Sequence, residues 1–114
     1  MTGPLVADSV SANIKPTGSL ATVAAGTTGA HTVLTNQLSL VTTADASHVF
    51  ANLPSPASFG LVIVSNTGGA SAQTITLSGY ASETIDGGST TTIATNKSKM
   101  FFSDGTKWHT LAGA

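Results

Sequence analysis

Short runs of apolar residues, separated by turn-forming residues, recur along the chain after residue 19. Leu38-Ser39-Leu40 alternates with a period of two, which is typical of a strand with one buried face. The run 59–66 is apolar on both faces and predicts a central strand that is covered on both sides. Strands are predicted at 20–25, 31–34, 38–43, 47–53, 59–66, 72–78, 83–85 and 89–94, followed by a final hairpin.

Turn signals separate these strands about every 8 to 12 residues, and we find neither a helix of useful length nor an internal repeat. The turn at 66–69 is expected to join two strands as a hairpin in the middle of the domain. Abundant Thr and Val favour a pleated, half-buried surface. The sequence therefore predicts an all-β fold, a small antiparallel β-sandwich or barrel that is jelly-roll-like.

Residues 1–18 have no sustained hydrophobic period and are interpreted as an extended N-terminal arm, followed by one domain at 19–114. The alternative is a disordered tail, which is the usual fate of chain ends. Apolar side chains spaced along an otherwise polar extended segment cannot be buried within that segment. We expect them to pack on a neighbouring subunit, with the arm paired to an exposed strand edge; these side chains are Leu5, Val6, Val10 and Ile14.

The final hairpin, residues 99–111, turns at Asp104-Gly105, and two registers are open. A two-residue turn places Phe101 opposite Trp108 but mixes charged and apolar side chains on the other face. A three-residue loop that begins at Ser103 shifts the register by one residue and moves every partner to the opposite face. We prefer the three-residue loop because it separates a core face with Met100, Phe102, Trp108 and Thr110 from a polar face with Lys99, Phe101, Lys107, His109 and Leu111.

This preferred register leaves Phe101 and Leu111 as apolar side chains on a polar face. An apolar pair with a polar rim is typical of a subunit contact seen from one side. The predicted partner interface therefore comprises Leu5, Val6, Val10, Ile14, Phe101, His109 and Leu111.

The chain of 114 residues is long enough for one domain with a core of its own. Charged residues make up 8% of it, Arg is absent and the formal net charge is −1, which argues against binding to nucleic acid or to an anionic membrane. So little charge on a small domain also suggests that other copies or a partner cover much of the surface. No signal-peptide pattern and no membrane-spanning apolar run are found, so we expect synthesis in a cytoplasm.

No set of residues resembles an active site or a metal site. Cys is absent, and His31, His48 and His109 do not have zinc-motif spacing. Glu83 with Asp86 is the best candidate for a glycosidase pair, but turn chemistry explains the aspartate. The sequence therefore predicts a protein that is not an enzyme, with no catalytic, cofactor-binding or metal-binding residues.

Two segments near the end of the chain carry a family resemblance. Thr84-Ile85-Asp86-Gly87-Gly88, followed by Phe102-Ser103-Asp104-Gly105-Thr106-Lys107-Trp108, resembles the C-terminal segment of many bacteriophage virion proteins. The resemblance covers roughly the last third of the chain. This segment is similar to tail-fibre tip domains and to the small β-domains that decorate capsids, which are commonly trimeric. A short arm without a long shaft resembles a decoration (cement) protein more closely.

This resemblance implies a homotrimer on the outer capsid surface, made in the cytoplasm of the host bacterium. Such proteins bind the major capsid protein and stabilise the shell by bridging neighbouring capsid subunits. The alternative that it implies is a receptor- or glycan-binding tip domain of a tail fibre or head fibre.

Overall fold

The computed structural model describes residues 20–58 and 60–113, which contain strands and no helix. The predicted all-β class is confirmed. In these residues no helix is present that could cross a membrane. The strands are β1 (Leu20–Ala24), β2 (Thr32–Val33), β3 (Leu38–Thr42), β4 (Phe50–Asn52), β5 (Leu61–Asn66), β6 (Ile75–Ser78), β7 (Thr90–Ile93), β8 (Ser98–Ser103) and β9 (Trp108–Gly113).

The first six strands alternate between two sheets. One sheet has five strands in the order β1-β3-β5-β8-β9, and the other has four in the order β2-β4-β6-β7. Within each sheet the first three strands are parallel, and the strands from β7 onward pair antiparallel with their neighbours. The prediction of an antiparallel architecture is therefore wrong for the first two thirds of the described chain.

The turn at 66–69 explains this error. It joins β5 to β6, but these strands lie in different sheets, so it is not a hairpin turn. Parallel neighbours in a sheet require a crossover connection, and here each crossover carries a strand of the other sheet. The chain thus runs through three coils, namely β1 with β2, β3 with β4, and β5 with β6.

The coils differ in length, which explains why the sequence has no visible repeat. Leu20 pairs with Leu38, 18 positions later, whereas Leu38 pairs with Ile63, 25 positions later. Insertions in the connecting loops therefore hide a geometric repeat that the strands retain.

One hydrophobic core is shared by the two sheets. Trp108 is fully buried in it, as predicted, and its indole Nε1 donates a hydrogen bond to the Pro54 carbonyl at 2.9 Å. The five-stranded sheet contributes Val41, Val62, Val64, Phe101 and Trp108, and the four-stranded sheet contributes Ala51, Ile75, Leu77 and Ile93.

The final hairpin does not have the preferred three-residue loop. Phe102 pairs with His109 and Ser103 with Trp108, which leaves a four-residue turn at 104–107. The Asp104 carboxylate accepts hydrogen bonds from the Thr106 and Lys107 backbone N–H groups, both at 3.0 Å, and holds this longer turn.

Because the register differs from the preferred one by one residue, the two phenylalanines lie on the faces opposite to those predicted. Phe101 is fully buried, whereas the side chain of Phe102 is 39% exposed. The assignment of Phe101 to a partner interface is therefore wrong, because its side chain is part of the core. Each side chain of the hairpin lies on the face that the two-residue alternative gives it, because a loop that is longer by two residues does not change which side chains share a face. The arm, with Leu5, Val6, Val10 and Ile14, lies outside the described residues.

Candidate functional site

The outward-facing side of the five-stranded sheet is largely apolar, with Thr, Ser and His as its polar residues. Leu20, Leu38, Ile63 and Met100 are consecutive partners across four strands and therefore form one row. Leu20 is 50% exposed at one edge, and the others are partly exposed. Seven large apolar side chains lie on this side, and we call them together the outer face. They are Leu20, Leu38, Leu40, Leu61, Ile63, Met100 and Phe102.

No charged side chain interrupts the outer face. Lys99 is the one charged residue within the five strands, and it is a partner of buried Val64 rather than of an outer-face residue. Its Nζ donates to Thr91 Oγ1 at 2.7 Å, across to β7 of the four-stranded sheet. The outer face is thus suited to contact with another uncharged surface.

The size of the outer face is that of a functional patch. The four strands that carry it, about 4.8 Å apart and each of five or six residues at about 3.3 Å, cover roughly 350 Å². The largest apolar patch on a typical monomer is about 300–600 Å² and is often functional.

Two residues of the predicted partner interface lie at the surface near this face. His109 pairs with Phe102, and the two rings stack with their centroids 5.0 Å apart. Leu111 is 55% exposed, at an irregularity in the pairing of β8 with β9. Sequence reasoning missed Met100 and Phe102 as surface residues, although the two-residue register would have placed them there.

Hydrogen bonds fix the position of His109. Its Nε2 lies 2.9 Å from Asp104 Oδ2, the same carboxylate that holds the four-residue turn. This hydrogen bond from His109, together with those from the Thr106 and Lys107 backbones, lowers the pKa of Asp104 well below its usual range. The ionised aspartate therefore connects the turn to the ring that covers Phe102.

The remaining candidate residues for chemistry stay apart. His48 Nδ1 donates to Asp45 Oδ1 at 2.8 Å, whereas His31 Nδ1 donates to Asn52 Oδ1 at 2.8 Å. The described part of the chain contains no group of three or more His, Cys, Asp or Glu side chains placed to hold a metal ion.

The carboxylate of Asp86 has a structural role in the described fold. It accepts hydrogen bonds from the Thr110 backbone N–H at 2.7 Å and from Thr110 Oγ1 at 2.5 Å. These bonds, from the hydroxyl first and the backbone second, lower the pKa of Asp86. They attach β9 to the loop before β7.

A polar cleft of about 320 Å³ lies on the four-stranded sheet. Asn52, Ser78 and Thr90 form a row of neighbours across β4, β6 and β7 at its floor. Its other polar lining includes His31, Glu83 and Ser89. The cleft offers hydroxyls, an amide and one carboxylate without a Lys or Arg, so its chemistry suits a neutral, hydroxyl-rich ligand better than an anion.

A glycine lets the loop carrying Glu83 turn into this cleft. A Cβ at Gly79 would lie 2.0 Å from the Glu83 carbonyl oxygen, which is far inside the contact distance of any side chain. The ring of His31, which also lines the cleft, stacks on Phe50 with centroids 5.0 Å apart.

Comparison with known proteins adds no relative: no protein-family model, no curated protein and no solved structure matches this chain.

Proposed function

We propose that this chain is a non-enzymatic structural protein of a bacteriophage virion that forms homotrimers on the outer capsid surface. In this proposal the two sheets are the layers of a small β-sandwich. The outer face contacts neighbouring copies and the major capsid protein, so that the trimer bridges adjacent capsid subunits. The observation that supports it most is the uncharged outer face on a chain with only 8% charged residues.

The size of the outer face favours several weak contacts over one strong contact. A stable protein–protein interface buries about 800 Å² on each partner, more than twice the footprint of roughly 350 Å² of this face. Closed cyclic symmetry repeats a small contact around an axis, and simultaneous attachment at several points multiplies a modest affinity. A trimer on a shell uses both effects.

Two adjacent phenylalanines of β8 provide a matched test. Phe102→Asp adds a charge to the outer face, so we expect a folded protein whose trimer dissociates in light scattering. Phe101→Asp places the same charge in the core and is expected to unfold the domain. Thr92→Asp, an exposed position in the four-stranded sheet, should keep both fold and trimer. A Phe102→Asp protein that remains trimeric would contradict this role of the outer face.

The number of copies in the virion tests the location. Decoration requires a stoichiometry near that of the major capsid protein, and quantitative densitometry of purified particles measures it. A few copies per particle would contradict decoration and favour a fibre tip.

The polar cleft favours a second candidate function, a receptor- or glycan-binding tip domain. Saccharides are neutral and rich in hydroxyls, so they match hydroxyl, amide and carboxylate groups that converge in one place. Titration of the protein with a panel of neutral saccharides should give binding that Asn52→Ala and Glu83→Gln each weaken and Thr92→Ala does not. Absence of binding across the panel would remove this candidate.

A further inference from the structure

A second hollow, of about 330 Å³, lies where three parallel strands end. The strands β2, β4 and β6 run in the same direction, so the segments that follow them leave the four-stranded sheet at one edge. Val33 at the end of β2, Pro54 after β4 and Tyr80 after β6 line this hollow. We call it the Tyr80 hollow.

The exposed lining of the Tyr80 hollow is mainly apolar. Val33 and Tyr80 are 45% and 41% exposed, and Thr35 and Ser55 add hydroxyl groups. None of the side chains that line the hollow in the described structure is charged. Single exposed apolar residues are ordinary on a protein surface, but here an aromatic ring and an aliphatic side chain converge on one concave site.

The polar cleft and the Tyr80 hollow are adjacent. Val33 of the hollow is the direct cross-strand partner of Asn52 at the floor of the cleft. Gly79 and Ala81 line the cleft, and Tyr80 between them lines the hollow. The same chain segments therefore form walls of both, and the two make one groove with a polar half and an apolar half.

Hydrogen bonds fix the walls of this groove. The Glu83 N–H donates to the Tyr80 carbonyl at 2.8 Å and closes a reverse turn, in which Ala81 has a φ of 52°. A residue other than glycine rarely has a positive φ and keeps it only where the surrounding contacts impose it. The Pro54 carbonyl accepts the hydrogen bond from the indole of buried Trp108. Both segments are thus held in place before a ligand binds, which lowers the entropic cost of binding.

The volume of the groove indicates the size of its ligand. Small-molecule sites typically enclose about 300–1,000 Å³. The cleft of about 320 Å³ and the hollow of about 330 Å³ each lie at the lower end of this range, whereas together they lie near its middle. A sugar unit has hydroxyl groups around its rim and C–H groups on its faces, so it suits either half, and two linked units suit the whole groove.

We infer that the groove binds a neutral oligosaccharide of at least two sugar units, with the C–H face of one unit on the Tyr80 ring and the hydroxyl groups of the next in the polar cleft. This inference rests on the second candidate function, saccharide binding in the cleft. It makes Tyr80 the residue that selects oligosaccharides over single sugars.

Calorimetric titration with disaccharides and with their component sugars tests the inference. The probes are lactose, maltose and cellobiose, with galactose and glucose as the single sugars. We expect a disaccharide to bind on the order of 10-fold more tightly than its component sugars, the scale of an aromatic anchor. Tyr80→Ala should remove this advantage and keep the affinity for single sugars, which also shows that the variant is folded. Tyr80→Phe retains the ring and should preserve the advantage.

The unmodified protein provides a second measurement, because Tyr80 is the single tyrosine of the chain. Its aromatic NMR signals should shift when the bound disaccharide is added. Unchanged signals, or a Tyr80→Ala protein that binds the disaccharide as tightly as before, would overturn the inference and leave saccharide binding in the cleft intact. Absence of binding by every sugar tested would overturn both the inference and the second candidate function.

Discussion

Ser39 is buried in the five-stranded sheet, and its hydroxyl has no hydrogen-bond partner in the described structure. A buried polar group without a hydrogen-bond partner lowers the stability of the folded protein by about 1–3 kcal/mol, because it loses its contacts with water. Removal of such a group is therefore favourable. Ser39→Ala should therefore raise the free energy of unfolding by about 1 kcal/mol, as measured by urea denaturation. A destabilised variant would mean that the hydroxyl is satisfied by water.

Asn66 is the opposite case, a buried amide with all its main hydrogen bonds formed. Its Nδ2 donates to the Gln73 and Ile93 carbonyls at 2.7 and 2.9 Å, and its Oδ1 accepts from the Gly68 N–H at 2.9 Å. The side chain thereby connects the end of β5 to both neighbours in the four-stranded sheet. Together with the Lys99–Thr91 hydrogen bond, it is a polar link between two sheets that share an apolar core.

Asn66→Leu conserves the approximate volume but removes three hydrogen bonds to backbone groups, of which only the Gln73 carbonyl has another side-chain donor, Thr95 Oγ1 at 3.1 Å. We expect a loss of about 3–5 kcal/mol of stability, because each unsatisfied buried group costs about 1–3 kcal/mol. Asn52→Leu, a similar change at a half-buried position, should cost less than about 1 kcal/mol in the same denaturation experiment. Similar costs for both variants would contradict the linking role of Asn66.

At the scale of an element, the final hairpin depends on pH through Asp104. Its pKa is lower in the folded protein than the value of 3.8 for an unperturbed aspartate. The unfolded chain therefore binds a proton more readily, and the stabilisation is present above pH 3.8 and lost as the pH falls through the folded pKa.

The melting temperature should consequently fall between about pH 5 and pH 2, and Asp104→Asn should reduce this fall. Glu83→Gln serves as the control, since it removes one carboxylate that accepts no hydrogen bond among the described groups. If both variants change the pH profile equally, the turn is not the source of the effect.

Much of this hairpin was accessible from its sequence, and its register was not. Asp104-Gly105 correctly indicated a turn, and a lone Trp108 correctly indicated a core residue. The loop length depends on the Asp104 carboxylate accepting hydrogen bonds from two backbone N–H groups within the turn, a contact that the alternation of apolar and polar residues does not report. A one-residue error in the loop was enough to exchange Phe101 with Phe102.

The parallel pairing was inaccessible for a different reason. Turn residues show where the chain changes direction but not whether it returns to the same sheet or crosses to the other. The run of apolar residues in β5 predicts a strand covered on both faces, but Leu61, Ile63 and Ser65 on its outward side are all partly exposed. The apolar outer face therefore appeared in the sequence as a property of one central strand, and only the pairing register shows it to extend across four strands.

For the whole molecule, the pairing predicts slow folding. Neighbours such as Ile63 and Met100 are far apart in sequence, so closing their loop costs entropy before the sheet can form. We expect refolding in milliseconds to seconds, followed by the fluorescence of Trp108, the single tryptophan. Refolding within microseconds would show that local structure dominates instead.

The row across the five-stranded sheet also has a mechanical consequence. Leu20 and Ala112, near the two ends of the described chain, belong to the same row, on the outermost strands β1 and β9. Tension applied at these two points acts perpendicular to the strands and opens the hydrogen bonds one after another, as in a zipper. A load borne by the face of the sheet avoids this weak direction, whereas a tether attached at Leu20 and Ala112 acts directly along it.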